Sequence, residues 1–476
     1  MTNHTGTPAS TPSTTTIDTL AERVLGPVLR PGDDGFEQER SGFQTAFQLR
    51  PAVIVGATGS DDVSAAVGHA AERGLPVAVR AGGHGAPFAA EGGVLISTRR
   101  MDAVHVDPNT RTARLGAGVR WEKVVAEAAR HGLAPLNGSS PGVGAVPYTL
   151  GGGLGHLARR YGYAADHVRS IDVVGADARL RHVTADSDPD LFWALRGGRD
   201  NFGVVTGMEV GLVPVERIFG GSMVFDGGLV EEVLHAYLEW TRSLPEEMTS
   251  SVATVVYPDV PGLPDHLRGR HVAQVRIAFT GTAAEGEQLV APLRAVGPRL
   301  KDTLAEMPYA ASGAIYEEPD TPHAYCGDNA MLQRLDASVV RPIAELTGPD
   351  APVMCVMGIR HLGGALAGPP AAPSAVGHRA ARYLLTILSP LGEREVVRAV
   401  HRRVLEQAAP WAMGTSLNFV FGDGERLSPE RVRAAYDPGD RTRLAALKAR
   451  VDPANTFRMN HNVAPHAGPS AEPASG

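Results

Sequence analysis

The chain of 476 residues is predicted to be an α+β protein in two parts. One part is built from short strand–helix units that end in glycine turns. The other is an antiparallel sheet with covering helices. Three observations carry this expectation. A strand–helix–strand pattern over 46–97 runs into Ala81-Gly82-Gly83-His84-Gly85. A second glycine cluster, NGSSPGVGAVPYTLGGGLGHLARRYG, occupies 137–162. From about 216 to 410 the glycine clusters thin out and alternating segments such as 272–279 take over, the pattern of half-buried antiparallel strands. A chain of this length exceeds one ordinary core, so two domains, or one with a large insertion, are expected.

Taken in order, residues 1–39 are expected to be a disordered tail and lead-in. The first 16, MTNHTGTPASTPSTTT, have no apolar core of a signal peptide. Residues 52–55 form a strand. Thr58 or Ser60 caps the following helix, whose first turn carries Asp61 and Asp62 at the positive dipole end. Val63, Ala66, Val67, Ala70 and Ala71 recur at helical spacing, and Gly74 suits the C′ position. Residues 77–79 are the next strand. Residues 103–116 form a hairpin about Asp107-Pro108-Asn109-Thr110. Trp121, Val124, Val125, Ala128 and Ala129 mark a helix stopped by Gly132. A strand over 171–175 precedes a helix, turn and strand within 191–215. Further on, helices are expected at 286–294 and 396–408, strands at 353–359 and 360–365, and a flexible loop at 368–377. The last segment is a helix, a turn and an Asn-rich stretch, followed by a tail at 466–476.

Composition excludes several functions. With 45 basic and 52 acidic residues the net charge is −7, and no basic stripe marks a nucleic-acid binder. Two cysteines, Cys326 and Cys355, make neither a disulfide framework nor a metal site. No run of 18 apolar residues suggests a membrane span, so the cytoplasm is the expected compartment.

A glycine turn after a strand commonly presents backbone N–H groups to an anion. On its own the first turn fits a tight surface loop equally well. Neither glycine cluster is a Rossmann fingerprint, and no P-loop is present. A dinucleotide therefore needs another fold. The segments VRAGGHGAPF, SSPGVGAVPYTLGGGLGHLARRYGYAADHV, DLFWALRGGRDNFGVVT and YDPGDRTRLAALKARVDPANTFRMNHNV occur in this order. Together they resemble the FAD-linked oxidases of the berberine-bridge-enzyme-like family, within the vanillyl-alcohol-oxidase/PCMH flavoprotein superfamily. The resemblance covers most of 40–215 and 410–465; the middle matches only in length and texture.

The resemblance implies a PCMH-type FAD-binding domain over 40–215, a substrate domain over 216–410, and a return to the first domain over 411–465. It implies FAD bound covalently through one histidine, His84, to the flavin 8α carbon. Neutral imidazole nitrogen is the nucleophile this needs. Arg80, Ala81, Gly82, Gly83 and Gly85 would wrap the pyrophosphate. Ser140 stands where relatives carry a second linking cysteine, and a hydroxyl is too weakly acidic for that bond. Val143 falls at the position controlling oxygen access, as in the oxidases, and Gly144 follows it in the same turn.

Flavin contacts are also implied for Tyr148, for Gly151, Gly152, Gly153 and Gly155, and for His156. The Val205 backbone and the amides of Asn460 and Asn462 would complete them. The family's tyrosine base two residues before an Asn is replaced by Ser416, ahead of Asn418, so the base is Ser416 or absent; Tyr316, Tyr325 and His361 are the substitutes. The implied reaction passes hydride from a C–H next to a hydroxyl, amine or ring of a small molecule, such as a secondary metabolite, to flavin N5. Molecular oxygen then gives hydrogen peroxide. The alternatives are a flavin dehydrogenase, a non-oxidative cyclase or isomerase, and a drug-binding or resistance flavoprotein.

Overall fold

The computed structural model describes residues 14–47, 49–85, 91–422 and 428–466. Residues 1–13 of the expected N-terminal tail, the expected tail at 466–476 except His466, and Ala86, Pro87 and Phe88 of the first glycine motif lie outside them. The chain opens with α1 (Thr14–Ala21), β1 (Val28–Leu29), α2 (Phe36–Arg40), β2 (Val53–Gly56), α3 (Ser60–Glu72), β3 (Val77–Arg80) and β4 (Val94–Ser97). These make a four-stranded sheet, β1-β2-β4-β3, in which β2, β4 and β3 are parallel and β1 is antiparallel. Parallel strands are covered on both faces, which is why VIVG and VLIS are continuous apolar runs.

The lead-in before residue 40 is ordered from α1 onward: Ile17 and Leu20 are buried in the core that α3 and its strands share. Two apolar side chains in a polar segment are too weak a pattern to show this. Neither Thr58 nor Ser60 caps α3. Asp62 reaches back from the first turn to accept the Thr58 N–H at 2.9 Å and its hydroxyl at 2.7 Å, and also takes the N–H groups of Leu25 and Gly26.

A five-stranded antiparallel sheet follows, in the order β5-β6-β9-β7-β8. Its elements are β5 (Val104–Asp107), β6 (Thr112–Gly116), α4 (Trp121–Ala129), α5 (Ala145–Leu150), α6 (Ala158–Tyr161), β7 (Val168–Val174), β8 (Leu180–Val183), α7 (Pro189–Gly198) and β9 (Val204–Gly211). Trp121, Val124 and Ala128 of α4 and Phe192 and Leu195 of α7 fill its core.

The rest of the middle forms one nine-stranded sheet, β13-β10-β12-β11-β16-β17-β15-β18, with β14 also on β10. The chain runs β10 (Arg217–Asp226), α8 (Val230–Trp240), β11 (Met248–Val256), β12 (His271–Phe279), α9 (Ala283–Arg294), β13 (Arg299–Asp302), β14 (Ala305–Pro308), β15 (Tyr325–Leu332), α10 (Val340–Thr347), β16 (Val356–His361), β17 (Tyr383–Pro390), α11 (Arg394–Ala408) and β18 (Ala412–Gly414). Helices α8 to α11 cover one face, packing Tyr237, Val290, Ile343 and Val404 on Val252, Val275 and Ile359. By strand alternation, the neighbouring Ser251, Arg276 and Arg360 point to the opposite face.

The expected strand over 360–365 stops at His361, where Gly363, with φ 82°, turns the chain into a short 3-10 helix, Gly364–Ala367. The loop at 368–377 is tethered rather than free. Ala375 is buried and donates to the Arg196 carbonyl at 2.8 Å, while the Arg196 guanidinium donates back to the carbonyls of Ala372 and Pro373. After β18, which still pairs with β15, the chain crosses back. Leu444 and Leu447 of α13 (Pro438–Val451), which follows α12 (Pro429–Arg433), enter the core of the five-stranded sheet. Among the described residues no helix is long and apolar enough to cross a membrane.

Candidate cofactor and substrate site

A cavity of about 790 Å³ lies between the small sheets and the bare face of the large one. This is the size range of ligand and cofactor clefts. One wall is the turn after β3. The carbonyls of Gly82 and Gly83 accept the N–H groups of Phe43 and Gln44 at 3.1 and 3.0 Å. Gly83 is required on two counts: its φ is 72°, and a Cβ there would lie 2.6 Å from Gly42 Cα. The turn thus packs backbone on backbone and leaves His84 facing the cavity. The imidazole stacks on Phe43 with centroids 3.9 Å apart, and its carbonyl accepts the Tyr325 hydroxyl at 2.9 Å. Neither ring nitrogen has a hydrogen-bond partner. Burial, then the nearby Arg120 charge, holds its pKa down to about 4, so the ring is neutral at pH 7.

Arg80, Ala81, Gly82, Gly83, His84 and Gly85 all line this cavity. So do Ser140, Val143, Gly144, Tyr148, Val205 and Asn460, and from the large sheet's side Tyr316 and Tyr325. Other expected contacts do not reach it. A Cβ on Gly155 would collide with the Asn137 carbonyl, on Gly151 with Asn418 Oδ1 and on Gly153 with Tyr148 and Ala164, while Gly152 is held at φ 105°. Gly151, Gly153 and Gly155 are small so that the protein can pack on itself, and Gly152 serves the backbone conformation. His156 and His361 line a side chamber of about 20 Å³ that shares Arg276, Tyr316 and Arg360 with the large cavity, and His361 Nε2 is 3.0 Å from Arg159 Nη1. Ser416 faces a third recess, its backbone bonded both ways to the Asn329 amide at 2.7 and 3.2 Å. Asn462 is not on the wall of the large cavity.

Four features of the site were missed from sequence. Phe43 is the platform under His84. His461 is held by Arg199 at 3.0 Å and by the Val420 carbonyl at 3.0 Å, with burial pushing its pKa down to about 3. Asn418 donates to the Tyr148 carbonyl at 2.9 Å and leaves its oxygen free. Arg276 and Arg360 project from β12 and β16; a charge at an inward position of an alternating strand was the signal available.

Buried polar atoms in proteins are normally partnered. Here the two His84 nitrogens, Tyr148 Oη, Arg80 Nη2, Asn418 Oδ1 and Asn460 Oδ1 lack partners, and all belong to residues on the wall of one cavity. A glycine turn with N–H groups, amide oxygens and a neutral imidazole fits FAD: donors for the phosphates, acceptors and donors for the ring edge, and a nucleophile. Fold and cleft together define a two-part flavoprotein oxidoreductase.

Comparison with known proteins narrows the class. Residues 51–184 match the family described as FAD binding domain, and residues 417–464 the one described as berberine and berberine like. The chain is 28% identical over 469 residues to (R)-6-hydroxynicotine oxidase of Paenarthrobacter nicotinovorans, covering 93% of this chain and 97% of that one. It superimposes on the crystal structure of 6-hydroxy-D-nicotine oxidase from Arthrobacter nicotinovorans with a TM-score of 0.80 at 26% identity, covering 93% and 98%. The fold is also that of the Acremonium strictum glucooligosaccharide oxidase, with a TM-score of 0.82 at 20% identity over 95% and 99% of the two chains. The chain thus carries an FAD binding domain and a berberine-like C-terminal segment, is similar to FAD-linked oxidases over nearly its whole length, and is an FAD-dependent oxidoreductase.

Proposed function

We propose that His84 tethers FAD by a single covalent bond and that the enzyme oxidises a C–H beside a hydroxyl, amine or ring in a small, largely apolar organic molecule of the secondary-metabolite kind. Oxygen is the acceptor and hydrogen peroxide the product. The observation that carries this reading is the neutral His84 ring, both nitrogens unpartnered, on the wall of the large cavity. When bound, the flavin supplies the two-electron acceptor. The turn from Arg80 to Gly85 offers N–H donors for the pyrophosphate, and Asn418 and Asn460 offer amide oxygens for the ring edge. Ser140 leaves the second tether absent, and the small Val143 side chain leaves room for oxygen.

Tyr316 is assigned as proton acceptor. It lines the cavity, its oxygen accepts from Arg360 Nη1 at 3.0 Å, and its hydroxyl is 2.8 Å from Ser251 Oγ. The other candidates are committed elsewhere. Tyr325 donates to the His84 carbonyl, Ser416 is off the cavity, and burial beside Arg159 pushes His361 down to about 3, too weak a base at pH 7.

Acid precipitation tests the tether. Yellow colour should stay in the pellet for the parent and for Ser140→Ala and leave with the supernatant for His84→Ala. A colourless parent pellet refutes the tether. Peroxide release in air distinguishes an oxidase from a flavin dehydrogenase or a non-oxidative cyclase.

A further inference from the structure

We propose that the large sheet's side of the cavity is an anion receptor, and that the substrate is an apolar molecule carrying a carboxylate or similarly acidic head. This rests on the reading of the cavity as the catalytic cleft. The strand registers carry it. Ser251 on β11 is opposite Arg276 on β12 and opposite Arg360 on β16. The three side chains therefore stand in one row across three strands, on the face away from the helices. Two residues along, the row is Ala253, Gly358 and Thr386; two further, it is Val255, Val356 and Leu388. All line the cavity. The floor thus grades from cationic, through small, to apolar.

The cationic end lacks its counter-charge. Among the described residues neither arginine has a carboxylate oxygen within ion-pair distance. Arg276 donates to Gln274 Oε1, and Arg360 to Tyr316 Oη. Tyr316 sits between them, its ring centroid 4.9 Å from the Arg276 guanidinium carbon and 5.1 Å from that of Arg360. The acids nearby are at the exposed rim and are engaged: Glu318 accepts from Ser139 at 2.6 Å, and Glu317 is paired with Lys301 at 2.6 Å. Each guanidinium keeps N–H donors to spare in a flat fork that matches a carboxylate. Arg276 feels the charge of the rim carboxylate Glu318 without pairing with it, so two partly buried cations facing one cleft gain from a ligand that brings its own negative charge. Its hydrocarbon body would lie toward Val255, Val356 and Leu388.

The test titrates purified holoenzyme with benzoate and with its neutral isostere benzamide, reading the flavin absorption band and heat of binding. The parent should bind benzoate about tenfold or more tighter than benzamide, the ratio expected for a charge-assisted pair. Arg276→Met and Arg360→Met should each erase most of that ratio while leaving benzamide binding within about threefold, and Arg276→Lys should restore part of it. Equal binding of the two probes by the parent overturns the proposal. So does unchanged benzoate affinity in the double methionine variant, including the case in which its flavin midpoint potential moves, since the arginines would then serve the flavin. If the protein is purified colourless, the flavin reading fails separately, and calorimetry with benzoate still decides the anion site.

Discussion

Replacing Lys448 with Met should cost stability out of proportion to one side chain. Lys448 Nζ is fully buried and donates to the Asn201 carbonyl at 2.6 Å, Asp452 Oδ2 at 2.7 Å and the Phe457 carbonyl at 3.0 Å. Asp452 also accepts the N–H groups of Thr456 at 2.8 Å and Phe457 at 3.0 Å. Methionine keeps the aliphatic stem but leaves a buried carboxylate without its counter-charge, the Asn201 carbonyl without its ammonium donor, and the Phe457 carbonyl with only the Asn460 amide at 3.3 Å. Removing one partner of a buried pair costs about 3–5 kcal/mol. For a unit of this size each kcal/mol moves the melting point by about 2–4 °C, so a fall of roughly 10 °C is expected. The assay is a thermal melt followed by circular dichroism and by flavin release together. Both should shift, because the clamped turn leads directly into Asn460 and His461 on the cavity wall. Asp452→Asn added to Lys448→Met removes the stranded charge while keeping an amide oxygen for the N–H groups of Thr456 and Phe457, and should recover part of the loss. A single variant melting within about 2 °C of the parent, or a double variant less stable than the single, would refute the argument.

Three further outcomes are expected. His156 and His461 are buried and neutral, with pKa values held down to about 4 and about 3. Their folded values lie below the unfolded one, so their contribution is complete above pH 6.5 and is lost as pH falls, by about 1.4 kcal/mol per pH unit for each; a melting point that stays flat from pH 7.5 to 5 contradicts this. With His84 at about 4, FAD attachment to the apoprotein should change less than about twofold between pH 7.5 and 5.5, where an ordinary imidazole would slow about tenfold; the time course of acid-stable colour measures it. Tyr316→Phe should lower kcat/KM by about 10²–10⁴ with the flavin still attached, and a loss below about threefold would assign the proton to another group.

Much of the architecture was legible because its signals are local. Helical spacing of Val63, Ala66, Val67 and Ala70 places α3, and alternation through 272–279 places β12. The glycine turn displaying His84 follows from residues adjacent in the chain. The first helix escaped because only Ile17 and Leu20 anchor it, and the α3 cap escaped because its acceptor, Asp62, stands inside the helix rather than before it.

What the sequence by itself determined is which segments are strands, helices and tight turns, and that a histidine is offered after a strand on a glycine turn. Sequence proximity treated Gly82 and Gly153 alike, yet only Gly82 borders the cavity, while Gly153 makes room for Tyr148 and Ala164. That distinction, the absence of any partner on the His84 nitrogens, and the Arg276–Ser251–Arg360 row were decided by tertiary structure. Each depends on what distant segments place against a residue, and strand register sets side chains 84 positions apart in one row without leaving a local trace in the chain.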